Sequence, residues 1–279
     1  MYRTRLCLGT SKLFGEIKEQ LSMFHELGFE AYFVDWNDDM DVAEIKAHGD
    51  SLGMIFQSIH APFTKVAAMW KDDEAPAAEA VEELIRCVNV CADNEVPIMI
   101  CHAFIGFKDH TPTPIGIERF RMVVEAAQKR GVKVAFENTE GEEYLAALMD
   151  AFVGYDNVGF CWDTGHELCY NRGKDMLALY GDRLLCTHLN DNLGIKDFYG
   201  QITYIDDLHL LPFDGVADWE DITRRLNQHH YNGILTFELN KAKKHRHEND
   251  VYAEMDVMRY LCEAYKRACR VAMLKQRGR

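Results

Sequence analysis

The sequence predicts an α/β fold, a single (β/α)8 barrel domain over residues 1–279, on three observations. Eight short apolar runs rich in Val, Ile, Phe and Cys recur along the chain, and longer stretches with helical periodicity lie between them. No tight-turn signal pairs neighbouring runs into hairpins, so the strands are expected to lie parallel with helices between them. The chain has 279 residues, 48% apolar and 27% charged, which suits one large domain of the barrel's usual length of roughly 250 residues. A doubly wound open sheet is the structural alternative, and it would gather its ligands at one crevice from fewer strands.

The first two runs are RLCLGTS from Arg5 and AYFVDW from Ala31. The third is MIFQSIHAPF from Met54, and AEAVEELIRCVNVCADN then leads helically into the fourth, PIMICHAF from Pro97. IERFRMVVEAAQKR precedes the fifth, VKVAFENTE from Val132. VGFCWDTGH from Val158, LLCTHLND from Leu184 and GILTFEL from Gly233 complete the set. Gly28, Gly53, Gly131, Gly181 and Gly233 stand just before strands, where a left-handed residue closes a helix. A last helix is expected from about Asp250 to Met273, with Met255, Met258, Cys262, Tyr265 and Cys269 on one core-facing stripe. The longest irregular stretch, Asn190 to Asp218, reads as a partly ordered flap over the barrel mouth.

Helix-to-strand turns are short, whereas strand-to-helix junctions carry His, Asp and Glu. SIHAPF supplies His60, ICHAF His102 and FENTEG Glu137. CWDTGH supplies Asp163 and His166, and THLND supplies His188. The flap adds Asp207 and His209, and FELN adds Glu238. In a barrel these ends share one rim. Taken singly, a histidine at a strand end reads more readily as a hydrogen-bonded structural residue. Glu137 and Glu238 resist that reading, because an acid closing a strongly apolar run is costly unless paired. Carboxylates that crowd together must raise one another's pKa or recruit a cation. Imidazole with carboxylate and no thiolate suits Zn2+, Mn2+, Fe2+ or Co2+, whereas Mg2+ favours mainly oxygen ligands. The ring therefore implies at least one divalent ion.

Bulk properties narrow the partners. The formal charge of −14 and pI of about 5.3 disfavour a general polyanion binder, so nucleic acid is not the expected partner. No apolar run is long enough to span a membrane and the N-terminus lacks a signal-peptide core, so no membrane association is expected. Nine cysteines, an odd number with no C-x-x-C, read as buried free thiols in a reducing cytoplasm. A homo-oligomer is compatible with the sequence.

SIHAPF, FENTEG, CWDTGHE, THLND, DLHLLPFDGVADW and FEL, in that order, resemble the xylose isomerase-like TIM barrels, over nearly the whole chain. That superfamily includes sugar phosphate isomerases and epimerases, ketose 3-epimerases, inosose-processing enzymes and endonuclease IV. The resemblance implies a metal held by Glu137, Asp163, His188 and Glu238, with Glu137 and Glu238 also forming the acid/base pair. It implies an isomerase or epimerase of a sugar, sugar phosphate, inosose or other polyol. The ion would be Zn, Mn or Co; one is preferred, and up to three are accommodated. The endonuclease pattern of additional metal ligands falls on His60, His102, His166, Asp207 and His209. Two departures weigh against DNA cleavage: Leu208 stands where that motif has arginine, and CHAFIGF lacks its His-Pro-Gly. An endonuclease IV-like zinc phosphodiesterase and a non-catalytic metal- or polyol-binding barrel stand as alternatives. Asp191 is a candidate orienting partner for His188, with a loop-turn role equally open. Trp36, Phe104, Trp162 and Tyr199 are candidate sugar-stacking aromatics. KAKKHRH, Lys241 to His247, is a candidate phosphate-binding run, though a solvated charged loop explains it more simply.

Overall fold

A computed structural model describes residues 4–108, 111–197, 200–242 and 251–278. Its eight strands are β1 (Leu6–Gly9), β2 (Ala31–Asp35), β3 (Ile55–His60), β4 (Ile98–His102), β5 (Lys133–Glu137), β6 (Val158–Asp163), β7 (Leu184–His188) and β8 (Leu235–Phe237). Every pairing is parallel, in the order β7-β6-β5-β4-β3-β2-β1-β8. The two end strands meet: Leu189 bridges Phe237, and its N–H donates to the Thr236 carbonyl at 2.8 Å. Glu238 N–H returns a bond to Leu189 at 3.3 Å, and Thr236 N–H donates to Thr187 Oγ1 at 3.2 Å. The sheet is thereby a nearly closed cylinder, a (β/α)8 TIM barrel rather than an open sheet.

Helices α1 (Ile17–Leu27), α2 (Val42–Ser51), α3 (Glu74–Asp93), α4 (Pro114–Arg130) and α5 (Glu142–Ala151) follow the first five strands. The connection after β6 is split into two short helices, α6 (Thr164–Cys169) and α7 (Met176–Tyr180). Helices α8 (Trp219–Gln228) and α9 (Val257–Arg277) complete the outer ring. A main apolar core fills the space between strands and helices, and smaller clusters, including Ile100, Ala135, Cys161 and Cys186, form beside it. All nine cysteines are free, and seven are buried. Among the described residues no helix is long and apolar enough to cross a membrane.

Three of the five pre-strand glycines take the expected left-handed φ: Gly28 (+106°), Gly53 (+71°) and Gly131 (+72°). Gly181 and Gly233 do not; they are small because a Cβ would lie 2.5 Å from the rings of His229 and Tyr231. The last helix starts at Val257 rather than near residue 250, and its buried face is Tyr260, Leu261, Ala264, Ala268 and Val271. The expected stripe of Met255, Met258, Cys262, Tyr265 and Cys269 is only half-buried and flanks that face.

Candidate active site

Parallel strands in a cylinder bring their C-terminal ends to one mouth. Glu137 closes β5, Asp163 closes β6, His188 closes β7, and Glu238 directly follows β8. One ligand atom from each lies within 4.8 Å of the others. His188 Nδ1 stands 2.8 Å from one Glu137 oxygen and 3.1 Å from Glu238. His60 and His102, closing β3 and β4, both aim Nε2 at the other Glu137 oxygen, each at 3.2 Å. On the flap side, Asp207 Oδ2 is met by His166 Nε2 at 3.3 Å and His209 Nε2 at 2.9 Å. All nine residues singled out by the sequence are thus brought to one mouth. Among the described residues three further sets, His60–His102–Glu137, Glu137–Cys161–His188 and His166–Asp207–His209, are compact enough to hold an ion.

The electrostatics follow from crowding in a dry place. Burial would raise the Glu137 carboxyl, but the charge of His188 and hydrogen bonds from His102, His188 and His60 hold it well below the usual range. Burial likewise opposes ionisation of Glu238, yet His188 and His209 bring it down to about 2. For Asp163 burial wins: its carboxyl is pushed up to about 7, with His166 and His209 pulling the other way. Burial should discharge the imidazoles, but Asp207 and Glu238 lift His209 to about 9, and Glu238 and Glu137 lift His188 well above its ordinary value. Without a cation, protonated His188 and His209 keep Glu137 and Glu238 charged, whereas burial pushes Asp163 towards its neutral form and lowers His102 towards the neutral imidazole.

The donor set fits a divalent ion. His60 donates from Nδ1 to the Ala61 carbonyl at 2.9 Å, and His166 from Nδ1 to the Asn138 carbonyl at 3.0 Å. A carbonyl only accepts, so in each neutral ring Nε2 carries the lone pair. That lone pair then faces a carboxylate oxygen, two acceptors about a hydrogen bond apart, and only a proton or a cation between them makes the arrangement favourable. An Nδ1–H anchored on a backbone carbonyl is also the usual support of a metal-bound imidazole.

The stretch CWDTGHE owes its residues to this presentation. Asp163 caps α6 by accepting from His166 N–H at 2.6 Å, and Asn190 Nδ2 donates to its second oxygen at 2.8 Å. Asn138 brackets the same residue, accepting from Asp163 N–H and donating to its carbonyl, both at 2.8 Å. Gly165 leaves room for Asn190: a Cβ there would sit 1.9 Å from Asn190 Oδ1.

Asp191 does not orient His188. It accepts from Phe213 N–H and Trp219 Nε1 on one oxygen, both at 2.9 Å, and from Asn192 and Ala217 N–H groups on the other, at 2.8 and 3.0 Å. It is the knot of the flap. His188 Nε2 is buried without a hydrogen-bond partner, and its ring is held by stacking on Phe33 at 4.8 Å. The flap carries His209 at a left-handed φ of +46°, a strained value for a non-glycine residue. Bonds from His209 Nδ1 to the Glu238 carbonyl and from Asn240 N–H to His209 hold it there.

The described aromatic candidates are packing residues. Trp162 is fully buried with Arg225 over its ring, Phe104 stacks on Tyr144, and Trp36 is buried. Tyr199 and residues 243–247 of the basic run lie outside the described residues. The structure adds Asp35, which closes β2; desolvation raises its carboxyl, with His60 opposing and Glu238 adding to the shift. Its signal was the acid ending AYFVD, the same signal that marks Glu137. Asp35, Phe33, Lys12, Asn240, His209 and Glu238 line a cavity of about 340 Å³. A second cavity of about 410 Å³ opens at the loops after β5 and β6.

A family model described as xylose isomerase-like TIM barrel matches residues 21–261. Protein y4fM of Sinorhizobium fredii, itself uncharacterized, is 39% identical over 116 residues, 39% of this chain and 34% of that protein. The chain thus spans about a third of the length of the curated relative it matches. Among solved structures, an L-ribulose 3-epimerase superposes with a TM-score of 0.74 at 17% identity, covering 98% of this chain and 96% of that one. A D-psicose 3-epimerase gives 0.72 at 15% identity, covering 98% and 99%. A 3-keto-D-glucoside 4-epimerase of E. coli gives 0.66 at 16% identity, covering 93% and 99%.

Proposed function

Since the chain belongs to the xylose isomerase-like TIM barrel family, we propose that it is a metal-dependent isomerase or epimerase acting beside the carbonyl of a sugar or inosose. The observation that carries this reading is the approach of Glu137, Asp163, His188 and Glu238 to within 4.8 Å of one another. These four would hold the ion. A divalent cation supplies Lewis-acid polarisation of a carbonyl and its neighbouring hydroxyl.

Glu137 and Glu238 form the proton-transfer pair. Both carboxyls are held below their ordinary range, so each is ionised at neutral pH and able to accept. Glu238 lines the smaller cavity with its side chain 23% exposed, whereas Glu137 is enclosed by three histidines. One carboxylate removes the proton next to the carbonyl and is thereby protonated; the other can return a proton only after it has been recharged, which the protonated His209, 3.5 Å from Glu238, is able to do. Return to the opposite face of the same carbon inverts it; return to the neighbouring carbon interconverts aldose and ketose. Asp35 and Asn240 on the cavity wall are placed to meet substrate hydroxyls. The sugar epimerases among the superposable structures support the same reading.

The test is solvent deuterium incorporation by the metal-loaded protein across a panel of ketoses and inososes. Deuterium beside the carbonyl is expected, and Glu137→Gln or Glu238→Gln should lower its rate at least about 10²-fold. Exchange that survives both substitutions rejects the assignment. A zinc phosphodiesterase is the second reading, drawn from the several overlapping ion-sized groups at one mouth. It predicts several ions per chain and nicking of an abasic duplex, and the net charge of −14 weighs against it.

A further inference from the structure

We infer that the cavity beside the loops after β5 and β6 is a subsite for a neutral glycosyl unit, so that the substrate is a glycosylated ketose rather than a free or phosphorylated one. This inference rests on the isomerase or epimerase reading for its substrate and on the cavity itself for the subsite.

The cavity encloses about 410 Å³, within the roughly 300–1,000 Å³ that takes a whole small molecule. Its wall touches the catalytic mouth through Tyr170. The Tyr170 ring packs 4.9 Å from His166, and the Phe107 ring lies 5.8 Å beyond Tyr170, so an aromatic path runs outward from the ion-binding ring. The wall is tied to the same ring: Asn171 accepts from Asn138 Nδ2 at 2.9 Å, and Asn138 brackets Asp163. Glu140 is fixed by Gly106 N–H at 2.8 Å. A group attached to a sugar at the mouth can therefore extend along this wall.

The lining selects its chemistry. Phe107 is 38% exposed and offers an aromatic face to a ligand. Aromatic faces suit the C–H face of a sugar ring, while Glu140 and Gln201 offer acceptors and donors to its hydroxyls. A phosphate would meet Glu140, Glu142 and Glu143 against Arg172 and Lys174, and Lys174 is already paired with Glu142 at 2.7 Å, so the wall stays acidic and like charges brought together are penalised. The N-terminus of α5 opens here without a side-chain cap, but Glu142 and Glu143 in its first turn already answer its positive end. A neutral polyhydroxylated ring is what remains.

The experiment compares three probes on the metal-loaded protein: D-fructose, the glucosyl ketose isomaltulose, and fructose 6-phosphate. Solvent deuterium incorporation should give isomaltulose a kcat/KM at least about tenfold above the other two. Phe107→Ala should erase that advantage through KM. Saturation-transfer NMR reads occupancy without turnover: the glucosyl protons of isomaltulose should be saturated by the wild-type protein and not by Phe107→Ala. An unchanged kcat/KM ratio in Phe107→Ala, a preference for the phosphate, or no glucosyl saturation overturns the subsite. No deuterium exchange with any probe beside intact, Phe107-dependent saturation rejects the isomerase reading and upholds the subsite.

Discussion

Gly165 sets how Asp163 is supported, through a neighbour rather than by contact. Any side chain there displaces Asn190, which donates to the second oxygen of Asp163. Gly165→Ala is expected to weaken metal binding about 10- to 100-fold, the usual effect of losing a ligand's support. Titration with metal, alongside a far-ultraviolet spectrum showing the fold intact, checks it; unchanged affinity would assign the glycine to packing alone. Which residues converge was legible in the sequence wherever an acid or imidazole ended an apolar run, because burying such a group is costly without a purpose. That rule picks out Glu137, Asp163, His188 and Glu238, which the fold brings together, and it applies equally to Asp35. Asn138 and Asn190 were not legible. They do not ionise, and their roles come from contacts between strands some 25 residues apart.

The flap between β7 and α8 shows what an element owes to one side chain. Asp191 accepts four hydrogen bonds, from Asn192, Phe213, Ala217 and Trp219. Asp191→Ala leaves those donors without their acceptor, and each such buried group costs about 1–3 kcal/mol. We expect a loss of at least about 2 kcal/mol in urea unfolding, with weaker metal binding, because the same segment carries Asp207 and His209. Undiminished stability would mean that the flap folds without its knot. Strand starts were readable to within a residue or two, since apolar runs between glycines leave few alternatives. The buried face of α9 was not, because half-buried Met, Cys and Tyr side chains pack as well along its edges as at its centre. The split of α6 from α7 was also hidden, being set by where the chain must lead Tyr170 and Asn171 to the mouth.

At the scale of the whole molecule, the ring couples folding to both protons and metal. In the metal-free protein His209 rises from 6.5 to about 9, so its stabilising contribution is complete below pH 6.5 and is lost as pH climbs through 9. Asp163, raised from 3.8 to about 7, also loses its contribution as pH rises. Glu238 has the opposite sign: lowered from 4.5 to about 2, it stabilises above pH 4.5 and fails as pH falls through 2. A bound ion takes the place of the histidine protons. The melting temperature of chelator-treated protein should therefore fall behind that of loaded protein by a margin that widens from pH 6.5 to 9, as calorimetry would show; a margin independent of pH refutes the coupling. The barrel as a class was the most legible feature of all, because strand count and alternation are global. The join between β7 and β8 was not, and it has a mechanical meaning. His188 lies on one lip of that join and Glu238 on the other, so an ion gripping both would act as a rivet across that edge of the cylinder. Amide protons of Leu189 and Glu238 should trade with deuterated solvent at least about tenfold more slowly once the rivet is in, and equal rates would mean that the join stands without it.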